Sequence, residues 1–118
     1  MTNKIVIGVD GSEPARAALR WGVEHAAKQG AAVELFYVID LTPFSDTPVF
    51  ESEALAQGQK LLDQELEYAK SIAPDVTYTT NLAPGTPTAV FEEESKGASL
   101  IVVGTHKGSK LPNVIFGS

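Results

Sequence analysis

Two stretches of this chain are apolar without interruption. Ile5-Val6-Ile7-Gly8-Val9, entered from Lys4, and Leu100-Ile101-Val102-Val103 carry no polar residue at alternate positions. A strand with water on one face alternates; a continuous β-branched run marks a strand covered on both faces. These two are read as interior, adjacent strands. Val33-Glu34-Leu35-Phe36-Tyr37-Val38-Ile39 is nearly as apolar and is read as a strand in which Phe36 and Tyr37 fill the core. Val76 to Leu82 alternates apolar and polar residues, which suits an edge strand.

Between the strands the period changes. Ala15, Ala18, Leu19, Gly22, Val23 and Ala26 recur at helical spacing, small enough for a helix to lie close on a sheet. Ser12 is a good N-cap for it, Pro14 suits its first turn, and Gly30 ends it. Trp21 lies beside that stripe and either packs under a neighbouring segment or marks a contact surface, packing being the expected outcome. Residues 51–73 repeat the pattern through Ala54, Leu55, Gly58, Leu61, Leu62, Leu66, Ala69 and Ile72 up to Pro74. Asp40 to Val49, with Pro43 and Pro48, reads as a loop. Thr86 and Pro87 start a third helix that runs to Lys96. Leu111 to Phe116 reads as the beginning of a fourth.

Strands alternating with helices give an α/β fold, an open parallel sheet of Rossmann-like type with helices on both faces. The apolar strands at 5–9 and 100–103 are neighbours, and the other two follow outward from the first, so the order is 3-2-1-4. The winding reverses between the first and fourth strands. Open α/β sheets bind ligands at such a switch point, beside the carboxyl ends of the strands. Asp10 and Gly104 stand at those ends.

With 118 residues, 43% of them hydrophobic and 20% charged, the chain has the size and composition of one globular domain spanning 1–118. No cysteine occurs. That removes disulfides, thiolate metal sites and thiol nucleophiles, and it fits a cytoplasmic location. No apolar run reaches membrane-spanning length, and a net charge of −6 speaks against nucleic acid or a membrane surface as partner. A local phosphate pocket stays open, because backbone N–H groups can hold phosphate without cationic side chains.

The segment Gly104 to Ser118 has glycine at a strand end, further small residues, and an incipient helix, which suits a phosphate loop as well as an ordinary turn. Asp10 can accept hydrogen bonds from a ribose hydroxyl or a base amine, or serve only as a turn residue at a helix start. His106 has no carboxylate or nucleophile partner in view and is not assigned as catalytic. His25 reads as a solvated helix residue, and Glu92-Glu93-Glu94 as a solvated face without metal-ligand spacing.

Ile5-Val6-Ile7-Gly8-Val9-Asp10-Gly11-Ser12-Glu13, Tyr37-Val38-Ile39-Asp40, Leu100-Ile101-Val102-Val103-Gly104 and the closing Gly117-Ser118 resemble, in that order and over the whole chain, the universal stress proteins, specifically their ATP-binding branch. The resemblance implies an adenine-nucleotide-binding protein of the stress response, with ATP as ligand, alone or with Mg²⁺. Nucleotide-binding members carry a glycine, two residues, a glycine, nine residues, then Gly followed by Ser or Thr. Here Gly104 and Gly117-Ser118 keep the overall spacing, but Lys107 stands at the second glycine and Gly108 follows it.

Carried over residue by residue, Asp10 would line the nucleoside pocket, with Val9, Gly11 and Ser12 beside it in the binding set, Val38 would meet the adenine with its backbone, and Gly104 would face the ribose. Val103, Thr105, His106, Lys107 and Gly108 would follow the ribose and phosphates, with Gly117 and Ser118 on the phosphates. Lys107 either obstructs the close backbone approach that glycine allows, or supplies charge while Gly108 takes over the turn. The first alternative makes the chain a nucleotide-independent interaction module of the same family. The chain shows no water-positioning base, arginine finger or metal-binding aspartate pair, so hydrolysis, if any, is expected to be slow. A P-loop enzyme lacks its signature here, and a phosphorylated receiver domain lacks the Asp that would follow the third strand.

Family members continue past Gly-Ser into a last helix and strand. That strand is not in this sequence; if the chain ends at Ser118, the fourth strand is expected to be an exposed apolar edge that a homodimer or other homo-oligomer covers, whereas a trimmed product of a longer chain would show itself by intact mass.

Overall fold

The computed structural model describes residues 3–104 and the backbone of residues 114–116. β1 spans Lys4–Gly8, α1 Glu13–Gln29 and β2 Ala32–Ile39. A 3₁₀ turn at Thr42–Phe44 leads into α2, Pro48–Ile72; β3 (Tyr78–Pro84), α3 (Pro87–Glu94), β4 (Leu100–Val102) and β5 (Val114–Phe116) follow. The sheet order is β3-β2-β1-β4-β5, with β1 through β4 parallel. The order 3-2-1-4 and the reversal between β1 and β4 stand as the apolar runs indicated.

Sequence explains the local choices. Ser12 caps α1 by accepting the Ala15 N–H at 3.3 Å, Pro14 occupies the first turn, and Gly30 closes the helix in the left-handed region at φ 66°. Thr86 caps α3 in the same way, accepting from Ala89. α2 begins three residues before the expected Glu51, because Pro48 serves as the first residue of a helix here rather than as a loop residue.

Alternation along the strands separates two cores. Ile5, Ile7, Val33, Leu35, Leu100 and Val102 face α1 and α2, packing on Leu19, Val23 and Leu62. Val6, Phe36, Ala83 and Ile101 face the other way, under Phe91 of α3. Close helix contact depends on small residues: a Cβ at Gly22 of α1 would lie 2.6 Å from Ile7 Cδ1 on β1, and one at Gly58 of α2 would lie 2.9 Å from Leu82 on β3. No helix among the described residues is long and apolar enough to cross a membrane.

Two expectations are corrected. Val114-Ile115-Phe116 is not helical: it forms a short antiparallel strand on β4, in the register Leu100↔Phe116, Ile101↔Ile115 and Val102↔Val114. A three-residue β-branched and aromatic segment beside an open ladder gains cross-strand hydrogen bonds that an isolated single helical turn cannot match. β4 is therefore not the exposed edge, and that argument for an oligomer falls away. Trp21, expected to pack beneath a neighbour, is 45% exposed and stacks on His25, one helical turn on, with ring centroids 4.8 Å apart.

Candidate functional site

The crevice is built from strand ends. The β1–β2 ladder ends at Gly8↔Phe36, closed by a last bond from Val9 N–H to the Phe36 carbonyl at 2.8 Å. In a parallel ladder alternate residues turn their peptide groups to opposite sides. Phe36 turns toward β1; Ile39 turns toward β3, where its carbonyl accepts the Gly85 N–H at 3.0 Å. Val38 therefore turns toward β1, beyond the point where β1 has left the sheet, and presents one N–H and one C=O to the space above the switch point.

Across that space the chain turns sharply. Gly11 takes φ 82°, a conformation glycine adopts at little cost. Asp10 Oδ1 accepts the Ser12 N–H at 2.8 Å, fixing the exposed carboxylate at the rim, while the Ser12 hydroxyl is committed to capping α1. Val9 is buried in the α1–α2 core, so it offers the crevice only backbone. Val103 packs partly on the Phe36 core, as does the Val38 side chain.

Gly104 has a reason the sequence did not reveal. A Cβ there would collide with the backbone of Pro14 and Ala15. The end of β4 thus lies directly against the first turn of α1, and glycine is required by helix–strand packing whatever lies above. Of the expected site residues, Val9, Asp10, Gly11, Ser12, Val38, Val103 and Gly104 gather at the carboxyl ends of β1, β2 and β4. Thr105, His106, Lys107, Gly108, Gly117 and Ser118 lie outside the described residues.

Asp40, last residue of the Tyr37-Val38-Ile39-Asp40 motif, acts locally. The Thr42 hydroxyl, and then the Thr42 N–H at 2.9 Å, hold its carboxyl below the usual carboxylate value and start the 3₁₀ turn.

Sequence reasoning missed a charged pair between α1 and α2. Glu65 of α2 is 1% exposed; Arg16 Nε of α1 donates to its Oε2 at 2.7 Å. The Arg16 guanidinium lies 4.0 Å over the Tyr68 ring, and Arg20 Nη1 donates to the Tyr68 hydroxyl at 3.1 Å. A single charge within the buried stripe Gly58, Leu62, Glu65, Ala69 was the available signal. Also missed was a cleft of about 610 Å³ between α2 and the end of β2. Among the described residues no group of three or more His, Cys, Asp or Glu could hold a metal ion.

Comparison with known proteins follows the same lines. The model of the universal stress protein family matches residues 1–118. A universal stress protein of Methanocaldococcus jannaschii is 34% identical over 121 residues, covering 98% of this chain and 71% of that protein. The chain spans less of longer relatives, 41% of one from Mycobacterium tuberculosis at 28% identity. A solved universal stress protein from Burkholderia pseudomallei superposes with a TM-score of 0.73 at 29% identity, over 88% of this chain and 82% of that one. An Arabidopsis thaliana family member solved with AMP bound has the same fold, with a TM-score of 0.63 at 18% identity over 92% and 79% of the two chains. Another, solved in complex with cAMP, gives a TM-score of 0.63 at 20% identity over 86% and 72%.

Proposed function

Since the chain belongs to the universal stress protein family, we propose that it is an adenine-nucleotide-binding regulatory protein whose ligand lies over the carboxyl ends of β1, β2 and β4. The observation that carries this reading is the Val38 peptide, turned toward a ladder that β1 has already left. One N–H beside one C=O complements the edge of adenine, which offers N1 as acceptor and the N6 amine as donor. Guanine presents the reverse pattern. The Asp10 carboxylate, just past the end of β1, is the acceptor for the ribose hydroxyls, and the Gly11 and Ser12 backbone lines the nucleoside.

The phosphates follow Gly104 into Thr105, His106, Lys107 and Gly108 and onward to Gly117 and Ser118. In this reading Lys107 contributes charge, ATP binds with or without Mg²⁺, and the protein reports nucleotide state by binding rather than by turnover. AMP and cAMP in complexes of the same fold support an adenylate as the class of ligand.

Calorimetric titration with AMP, ATP with Mg²⁺, and GMP tests it. Adenylates should bind and GMP should bind at least about tenfold more weakly, as a base edge with both hydrogen bonds reversed requires. No binding of any adenylate at millimolar concentration would end the reading. Binding that appears only after Lys107→Gly would instead favour the interaction module, with nucleotide capacity lost through Lys107.

A further inference from the structure

The cleft between α2 and β2 is a place of its own. Tyr37 and Ile39 line it; Tyr37 belongs to the α1–α2 side of the sheet, whereas Val38 and Val103 pack on the opposite side. Among the described residues, the cleft approaches the crevice at Leu61, which lines it and also lies 3.2 Å from where a Cβ on Gly11 would stand.

Its lining has a definite chemistry. Tyr37 on the sheet and Phe44 on the 3₁₀ turn offer two aromatic rings. From α2 come Gln57, Lys60, Leu61 and Gln64, at the three-, four- and seven-residue separations that keep side chains on one helical face. Lys60 is the one charged lining group among the described residues, and the ion pairs found there involve Lys4, Arg16 and Lys96 instead. About 610 Å³ lies within the range of small-molecule sites, which combine apolar walls with a few convergent polar groups. Gly58 helps set the shape: a Cβ there would stand 3.1 Å from the Tyr37 ring, so the ring lies flush against the helix.

We propose that this cleft is a second small-molecule site that takes a planar aromatic anion, its ring against Tyr37 and Phe44, its anionic group at Lys60, and its polar rim on the carboxamides of Gln57 and Gln64. Two rings select a flat aromatic face over an aliphatic chain. A lone lysine selects a negative substituent on a protein whose net charge of −6 otherwise repels anions.

The test uses 2-naphthoate as probe, with 2-naphthalenemethanol as its uncharged counterpart, followed by NMR on the labelled chain. Naphthoate should shift the side-chain amides of Gln57 and Gln64 and the backbone amide of Gly58, saturably, in the presence or absence of excess AMP. The alcohol should bind about two- to fivefold more weakly, the range of an exposed charge pair, and Lys60→Gln should abolish that difference. Phe44→Ala should weaken both probes together. Displacement of naphthoate by AMP would merge the cleft with the nucleotide crevice and overturn the proposal. So would shifts confined to the exposed Val49 and Phe50, equal affinity for acid and alcohol, or no saturation. Because the naphthoate titration without AMP is read alone, failure of nucleotide binding and failure of the cleft are separate results.

Discussion

Arg16 and Glu65, 49 residues apart in sequence, join α1 to α2 through a 2.7 Å bond from Nε to Oε2. The carboxylate is buried and the arginine is not: Glu65 Oε1 is enclosed without a hydrogen-bond partner among the described residues, while Arg16 reaches solvent along the Tyr68 ring. Breaking such a pair costs more than replacing it whole, since removing one partner leaves a charge in a poorly solvated place.

Arg16→Ala should therefore lower unfolding free energy by about 2–3 kcal/mol, at or below the low end for a buried pair because arginine is partly solvated. Arg16→Met combined with Glu65→Leu should recover most of that loss, as apolar replacements of both partners fill the space without an orphan charge. Urea denaturation of the two variants decides it; a double variant as unstable as the single one would show that the pair itself supplies net stability.

Gly104→Ala should cost about 2–3 kcal/mol, within the overpacking range, because the added methyl meets the Pro14–Ala15 backbone rather than a movable side chain. Gly97→Ala is the control. Nothing lies within 4 Å of a Cβ at Gly97, so that change should be neutral or slightly stabilising. Comparison of the two melting temperatures is sufficient, and a harmless alanine at 104 would mean that the α1 first turn is not packed as described.

Asp40 and Tyr78 should each add a pH-dependent contribution to stability, at opposite ends of the pH range. The Asp40 carboxyl is held low by Thr42, so its contribution is present above the unfolded carboxylate value of about 3.9 and is lost as pH falls through the lower folded value. Tyr78 donates to the Ala69 and Ala73 carbonyls at the end of α2, at 3.1 and 2.8 Å, and burial raises its phenol. Its contribution is full below about 10 and disappears as pH rises through the folded value. Relative to the parent, Asp40→Asn should lose slightly less stability on acidification and Tyr78→Phe less on alkalinisation, read as differences between melting curves across pH; difference curves that are flat at both ends would refute the assignments.

What the sequence conveyed depended on how local the determining interaction is. β1 and β4 were legible because burial on both faces leaves a continuous apolar run, and their adjacency carried the switch point with it. Helix starts at Ser12 and Thr86 were legible from capping chemistry. β5 was not, because three residues are too few to show a period. Trp21 defied its position beside the apolar stripe because His25, four residues on, supplies a stacking partner at the surface. The Arg16–Glu65 pair and the Gly104–Pro14 contact join distant segments, so no local pattern records them. In the crevice, the residue types at Asp10 and Gly104 could be read directly, but the direction of the Val38 peptide depends on where the β1–β2 ladder stops.

That direction yields the sharpest test of the binding site. Proline at 38 removes the N–H proposed to read adenine N1 while leaving the carbonyl. It removes no β2–β3 bond, because the peptide groups of Tyr37 and Ile39, not Val38, turn toward β3, and proline is tolerated in a strand where the lost donor makes no ladder bond. Val38→Pro should therefore keep the fold by circular dichroism but lose about tenfold or more in AMP affinity, the scale of a site left unable to satisfy a polar group of its ligand. Val38→Ile keeps the N–H and should bind AMP as the parent does. If the proline variant folds and binds AMP undiminished, adenine is not read by this peptide, and the nucleotide reading would have to rest on Asp10 and the segment beyond Gly104.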